Sequence, residues 1–171
     1  MASILKVNTI QDATNSNTAM SIDSSGRVTR SVIPSWRLGF TGHLDISTAD
    51  LSDVVFTNTS TNNCYLNGGC THSSGVITVP VAGLYQINAC IRLDNVSANY
   101  IELYIRVNNS SSTFLSGYHI EGDPYGNYHA ISSVELFSLS ANDNVRCSIY
   151  AGGDSSYRMN QSSNFSGFLV G

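Results

Sequence analysis

The sequence is poor in charged residues. Only 12% of its 171 residues are Asp, Glu, Lys or Arg, about half the share of roughly 25% that is usual in soluble globular proteins. Eight residues are basic, of which Lys6 is the one lysine and the others are scattered arginines, and the formal net charge is −4. No basic stripe exists that could neutralise a run of phosphates, which argues against a nucleic-acid partner.

Long apolar runs are also missing. The longest span a few residues, whereas a helix needs about 20 to cross a bilayer. The N-terminal stretch "MASILKVNTIQ" lacks the apolar core of a signal peptide. We therefore expect a protein that is made in the cytoplasm and does not insert into a membrane.

The four cysteines are too few for a dense disulfide framework, and without a secretion signal reduced thiols are expected. Cys90 and Cys147 fall inside strand patterns. Cys64 and Cys70 flank "YLNGG", and the sequence leaves open whether they form a disulfide, because spacing does not establish geometry. Together with His72 they form C-x5-C-x-H, a spacing outside the usual zinc pairs. No cofactor is expected from these residues.

Strand patterns fill the chain from Trp36 onward. "LYQINACIRL" (84–93) and "YIELYIRV" (100–107) alternate apolar and polar residues, which predicts strands with one buried side. Turn sequences such as "SANDN" (140–144) separate these and further short runs. Many short strands at this spacing predict an all-β fold, either a β-sandwich or a jelly roll.

Residues 1–35 differ from the rest because they contain no aromatic residue. The segments "ILKVNTI" and "AMSIDSSGRVTRSV" predict short strands around a turn at residues 24–26. Such a segment cannot build a core alone. We therefore divide the chain into an anchoring segment, residues 1–35, and a head domain, residues 36–171.

The stretch "VPVAGLYQI" (79–87) predicts a sharp change of direction between two strands. Pro80 lacks an amide proton and ends a strand, and Gly83 can adopt the positive φ that a tight reversal requires. Tyr85 then enters the sandwich as a large buried anchor.

Two strand patterns carry apolar residues on both sides. In "HAISSVELFSLS" (129–140), Val134 and Leu136 lie on one side of the strand, and Ile131, Phe137 and Leu139 lie on the other. The C-terminal "NFSGFLVG" is two-sided as well. A single copy would leave one side in water, so we expect a second subunit to cover it, the alternative being that a few large side chains are simply exposed. The residues assigned to this interface are Ile131, Phe137, Leu139, Phe168 and Val170.

Three stretches resemble a known family. "GVITVPVAGLYQINACI" (75–91), "ELFSLSANDNVRCSIY" (135–150) and "SSNFSGFLVG" (162–171) are similar to the globular head of complement component one q and its tumour necrosis factor relatives. The resemblance covers about residues 55–171. It implies a jelly roll of about ten strands that forms a homotrimer, with the last strand near the threefold axis. It also implies a binding role rather than catalysis. Some family members bind calcium, but no ligand pattern can be transferred to this chain.

The N-terminus carries a second resemblance. "MASILKVNTIQDATNSNTAMSIDSSGRV" (1–28) is similar to the opening of fibre and appendage proteins of tailed phages, particularly marine cyanophages. No extended shaft follows it, unlike in long fibres. The resemblance implies a short trimeric knob, head fibre or capsid-decorating protein.

A catalytic reading finds little support in the sequence. The histidines are spread along the chain, and no G-x-S-x-G elbow, P-loop or H-E-x-x-H motif is present. We expect that the protein is not an enzyme.

One loop has the composition of a binding site. "HIEGDPYGNYH" (119–129) groups Glu121, Asp123, Tyr125 and Tyr128. These side chains suit a sugar or, through their oxygens, a calcium ion, and the alternative is a solvated turn.

Taken together, these features predict a homotrimeric protein of the virion surface that contributes to attachment to the host cell. Its partners would be its own copies, capsid or tail proteins that hold the N-terminal segment, and a glycan of the host surface. Two alternatives stay open: a capsid decoration protein that reinforces the shell, and a lectin-like carbohydrate-binding module.

Overall fold

The computed structural model describes residues 7–11, 18–30, 32–48, 50–61, 63–108, 114–120 and 128–171. The chain forms two compact units, Met1–Ile33 and Pro34–Gly171. Among the described residues, no helix is long and apolar enough to cross a membrane.

The first unit contains a three-stranded antiparallel sheet. Its strands, in the order in which they pair, are β1 (Thr9–Gln11), β2 (Thr18–Ile22) and β3 (Val28–Arg30). The turn between β2 and β3 is closed by Asp23, whose carboxylate accepts the backbone N–H groups of Ser25 (2.9 Å) and Arg27 (3.0 Å). Gly26 has φ 77°, a conformation that glycine adopts without strain. The turn predicted at residues 24–26 is thus confirmed.

The second unit is a sandwich of two antiparallel sheets. In chain order its described strands are β4 (Ser35–Leu38), β5 (Leu44–Ile46), β6 (Ser52–Asp53), β7 (Tyr65–Asn67), β8 (Thr71–Ser73), β9 (Val76–Thr78), β10 (Gly83–Asp94), β11 (Tyr100–Val107), β12 (Phe114–Ile120), β13 (Tyr128–Leu139), β14 (Asn144–Gly152), β15 (Tyr157–Met159) and β16 (Asn164–Leu169).

The long strand β10 organises the larger, seven-stranded sheet. It pairs with β13 along its whole length on one side. On its other side it pairs first with β16 and then with β15. From β16 the sheet continues through β4 to β7, and from β15 to β5. The six-stranded sheet has the order β12-β11-β14-β9-β8, with β6 paired to β14.

The core lies between the two sheets and follows the predicted alternation. Along β10 and β11 every second side chain is buried, as the period-two pattern requires. Aromatic side chains fill the centre, where Phe165 contacts Trp36 and Phe56 at centroid distances of 5.9 Å each. The strand predictions for residues 84–93 and 100–107 are confirmed.

Tyr85 closes one end of this core. Its side chain is fully buried, and its hydroxyl donates to the carbonyl oxygen of Val81 at 2.9 Å. Gly83 serves a purpose other than the expected tight reversal, because its backbone is extended (φ 159°). A Cβ on Gly83 would lie 2.5 Å from Cδ1 of Leu169. The same Cβ would lie 3.1 Å from the carbonyl oxygen of Gly171, so the glycine allows the C-terminal segment to approach β10 closely.

Candidate functional site

The outward side of the seven-stranded sheet carries a patch of exposed apolar side chains. We call this patch the apolar face; it consists of Leu84, Val134, Leu136, Phe168 and Val170, which are 39–59% exposed. Monomeric soluble proteins rarely leave a large contiguous apolar patch in water. The apolar face is therefore a candidate subunit interface.

The strand register makes this patch continuous. Gln86 on β10 lies between Leu136 on β13 and Phe168 on β16. In a neighbouring row, Asn88 lies between Val134 and Ser166. Neutral amides and hydroxyls separate the apolar groups, and the row of Asn88 continues through Ser166 to the exposed Arg37 at the edge of the patch. A partner can therefore cover the apolar groups while the long side chain of Arg37 keeps its charge in water.

The five residues predicted for the interface fall into two groups in the structure, one exposed on the apolar face and one packed in the core of the single chain. Phe168 and Val170 belong to the exposed apolar face, with 45% and 48% of their surface accessible. Ile131 (7%) and Leu139 (4%) lie in the core of the single chain, and Phe137 is packed against that core.

This result corrects the orientation of β13. The side of the strand that carries Ile131 and Leu139 points into the sandwich, and the side with Val134 and Leu136 points outward. Both sides are apolar, so the alternation of the sequence could not tell inside from outside. Whether the face forms a trimer interface stays a prediction.

Of the predicted receptor-binding loop, Glu121, Asp123 and Tyr125 lie outside the described residues. Tyr128 is described and begins β13, where it is 59% exposed. The guanidinium group of Arg92 lies over its ring, 5.6 Å from the centroid, within the range of a cation–π contact.

A buried carboxylate stabilises the same end of the sheet. Asp94, which lies opposite Tyr128 in the register, is 8% exposed. It accepts hydrogen bonds from Nε of Arg92 (3.1 Å) and from the side-chain amide of Asn160. His43 Nδ1 lies 3.9 Å from the carboxylate. Because a buried charge is tolerated only when it is paired, this network compensates the burial of Asp94 at the end of β10.

Three of the four thiols are buried, those of Cys64, Cys70 and Cys147, and Cys90 is half-buried. All four cysteines are free, so Cys64 and Cys70 are not bonded to each other. Burial raises the pKa of Cys70 to about 11 and raises the pKa values of Cys64 and Cys147 as well. A thiol that stays protonated at neutral pH is a poor nucleophile and metal ligand. In the described part of the chain, no group of three or more His, Cys, Asp or Glu side chains is placed to hold a metal ion.

The sheet of the first unit has an apolar groove of its own. The groove is a cavity of about 110 Å³ lined by Val7, Asn8, Thr9, Ile10, Met20, Ile22 and Val28. Ile10 and Val28 are 49% and 60% exposed. A unit of fewer than about 40 residues buries too little apolar surface to be stable without further support, so this unit, Met1–Ile33, gains from a partner surface.

The sequence matches no family model and no curated protein. Solved structures do match. Murine APRIL aligns with a TM-score of 0.60 at 12% identity, over 81% of this chain and 99% of the APRIL chain. Eiger TNF from S. frugiperda aligns with a TM-score of 0.60 at 15% identity, over 81% of this chain and 93% of its own. The fold is an all-β jelly-roll sandwich of the TNF type.

This result confirms the fold that the resemblance to the tumour necrosis factor relatives implied. At these identities the likeness concerns the fold alone. The resemblance of residues 1–28 to phage appendage proteins stays a prediction.

Proposed function

We propose that this protein is a trimeric component of a virion surface, a short knob whose jelly-roll head contributes to host-cell attachment. The observation that carries the proposal is the exposed apolar face on a jelly roll of the TNF type. In a closed threefold arrangement the neighbouring copies cover this face in every subunit. No apolar face then stays exposed through which further copies could associate without limit.

The first unit supplies the anchor in this proposal. Its apolar groove suits a segment of a capsid or tail protein, and its sequence resembles the opening of phage appendage proteins. Recognition by the head is then multivalent, because three identical sites on one trimer raise the avidity without a strong individual contact. The TNF-type fold is consistent with binding rather than catalysis.

Sedimentation of the full chain tests the assembly, and deletion of residues 1–33 tests the anchor. The deletion ends at the boundary of the second unit, whose first residue, Pro34, already accepts a hydrogen bond from the N–H of Leu169. We expect the shortened protein to fold and to sediment as a trimer, but to be absent from purified particles.

Two results would contradict these assignments. A monomeric full chain at micromolar concentration would exclude the trimer, and normal incorporation of the shortened head would exclude the anchor. Particles that lose mechanical or thermal stability without the protein, while host adsorption is unchanged, would instead favour the capsid decoration alternative.

A further inference from the structure

A second group of interacting side chains covers the outward side of β11 and β14 in the six-stranded sheet. We call this group the tyrosine strip; its members, all half-buried, are Tyr100, Glu102, Tyr104 and Tyr150. Tyr150 lies opposite Glu102 in the register and therefore between the two tyrosines of β11. Three aromatic rings thus follow one another along the strands over about 14 Å, the length of four residues in a strand.

Contacts with neighbouring groups hold these rings in place. Tyr100 lies across Gly152, where an added Cβ would be only 2.5 Å from ring atoms of the tyrosine. The rings of Tyr100 and Tyr150 are tilted at 54° with centroids 5.6 Å apart. The hydroxyl of Tyr104 donates to the carboxylate of Glu102 at 2.5 Å. Side chains that are already ordered lose little conformational entropy when a ligand binds.

Charges beside the strip balance one another. Arg106 and Arg146 lie opposite each other at its end, and both form ion pairs with Asp53, at 3.1 and 2.8 Å. With Glu102, the described residues beside the strip contribute two guanidinium groups and two carboxylates. The strip therefore offers little net field to attract an ion, and it favours a neutral ligand.

The chemistry of the strip matches a sugar ring. Each tyrosine offers an apolar ring face and a hydroxyl group; the hydroxyl of Tyr104, whose proton is donated to Glu102, can still accept, and the carboxylate of Glu102 keeps further acceptor capacity. Burial and the neighbouring Glu102 raise the pKa of Tyr104 to about 12, so its hydroxyl stays protonated at neutral pH. A pyranose has apolar C–H faces and a rim of hydroxyl groups, which these features complement.

Tyrosine is common at protein interfaces too, but the core of such an interface is depleted in Asp and Glu, whereas the strip contains Glu102 and ends at Asp53. The apolar face on the other sheet, which has no acidic member, suits a protein partner better.

We propose that the tyrosine strip binds a neutral oligosaccharide, with sugar rings stacked on Tyr100, Tyr104 and Tyr150. The inference deepens the proposed function and depends on it only for the biological source of the sugar, a host surface. The strip and the apolar face lie on opposite sheets of the sandwich, so trimer formation leaves all three strips accessible.

The test uses the full-length protein on an array of short neutral hexose oligosaccharides printed beside sulfated and uronate-containing ones. We expect binding to neutral sugars that changes little between low and high salt, because no ion pair to the ligand is screened. Tyr104→Ala and Tyr150→Ala should each weaken it by about tenfold or more. Tyr65→Ala, which removes an exposed tyrosine from the seven-stranded sheet, is the matched control and should bind as the wild type does.

Each other outcome overturns the inference. The first is that the wild type gives no signal on any neutral sugar, and the second is that it binds only anionic sugars and loses this binding in salt. The third is that it captures a protein receptor that carries no sugar. The fourth is that Tyr128→Ala loses binding while the strip variants bind normally. Melting curves and sedimentation of every variant exclude misfolding. A trimer that still enters particles but binds no sugar rejects the strip alone, whereas a monomer rejects the proposed function.

Discussion

The two outward faces of the sandwich are built from the same alternation of residues but differ in chemistry. Across the apolar face, the seven-stranded sheet exposes aliphatic groups and one phenylalanine, separated by amides and hydroxyls, and its exposed tyrosines, Tyr65 and Tyr128, lie outside this face. The six-stranded sheet exposes tyrosines beside ion-paired arginines and carboxylates. Apolar groups gain by leaving water with a partner of the same kind, whereas hydrogen-bonded tyrosines and paired charges are already stable in water. The difference suggests that one face serves assembly and the other recognition.

The largest effect is expected from a charge on the apolar face. Phe168→Arg would place an unpaired guanidinium in the proposed interface, at a cost on the order of several kcal/mol per subunit. We expect a folded monomer in sedimentation velocity, because the core is not touched. Tyr150→Arg, the matched change on the other face, should remain trimeric. If Phe168→Arg still sediments as a trimer, the apolar face is not the interface.

Two glycines allow the core to be compared with an outward face, because each lies beside an aromatic side chain of the neighbouring strand, one buried and one on the surface. A Cβ on Gly167 would be 2.4 Å from the ring of the fully buried Trp36, and one on Gly152 would be 2.5 Å from the ring of Tyr100. Trp36 cannot move away, so Gly167→Ala should lower the free energy of unfolding by about 1–3 kcal/mol. Tyr100 can swing toward solvent, so Gly152→Ala should cost less stability but weaken sugar binding. Urea unfolding and the glycan array measure the two effects, and equal losses of stability would contradict the difference.

A third change tests the ion pairs beside the tyrosine strip. Asp53 accepts hydrogen bonds from both Arg106 (3.1 Å) and Arg146 (2.8 Å), whose side chains are only 18% and 14% exposed. Without the carboxylate these like charges face each other, so Asp53→Ala should cost about 1–2 kcal/mol, a value reduced by the partial exposure of Asp53. Asp45→Ala, which breaks the exposed pair with Arg158, is the control and should leave urea unfolding unchanged. If both changes lower the free energy of unfolding equally, the ion pairs of Asp53 contribute no more to stability than an exposed ion pair does.

The smallest effect is expected from pH, at the edge of the six-stranded sheet. Nε2 of His72 accepts the backbone N–H of Gly75 at 3.0 Å, and burial lowers the pKa of His72 below its ordinary value of 6.5. A lowered pKa means that the folded state favours the neutral ring. The stability that the neutral ring of His72 contributes to the folded state is therefore complete above pH about 6.5, and it is lost as the pH falls through the lowered pKa.

Melting temperatures of the wild type and His72→Gln at pH 7.5 and about 5.5 measure this effect. The glutamine carbonyl can accept the same N–H but does not titrate, so the wild type should lose more stability on acidification. The other histidines are common to both proteins and cancel in the difference. An identical loss in both proteins would show that His72 does not contribute.

The sequence predicted the strands well where one side is polar. Ile101, Leu103 and Ile105 alternate with polar or tyrosine neighbours, and all three are buried as expected. The β13 pattern, with Ile131 and Leu136 on opposite sides, gave no such asymmetry and was oriented incorrectly. The tyrosine strip was missed altogether, although Tyr100, Glu102 and Tyr104 stand in one quoted run. Tyr150 joins them only because β14 pairs with β11 in a particular register, 46 residues further along the chain than Tyr104.

The order of apolar and polar residues by itself determined the all-β class and the burial of Tyr85, and the Ser-Ser-Gly sequence determined the turn at residues 24–26, because backbone geometry and the cost of exposing apolar groups act locally. Only the tertiary structure decided which side of β13 faces the core and which side chains of distant strands form each outward face. Both depend on strand pairing and on the placement of the second sheet, and these are set by long-range packing that no single segment encodes.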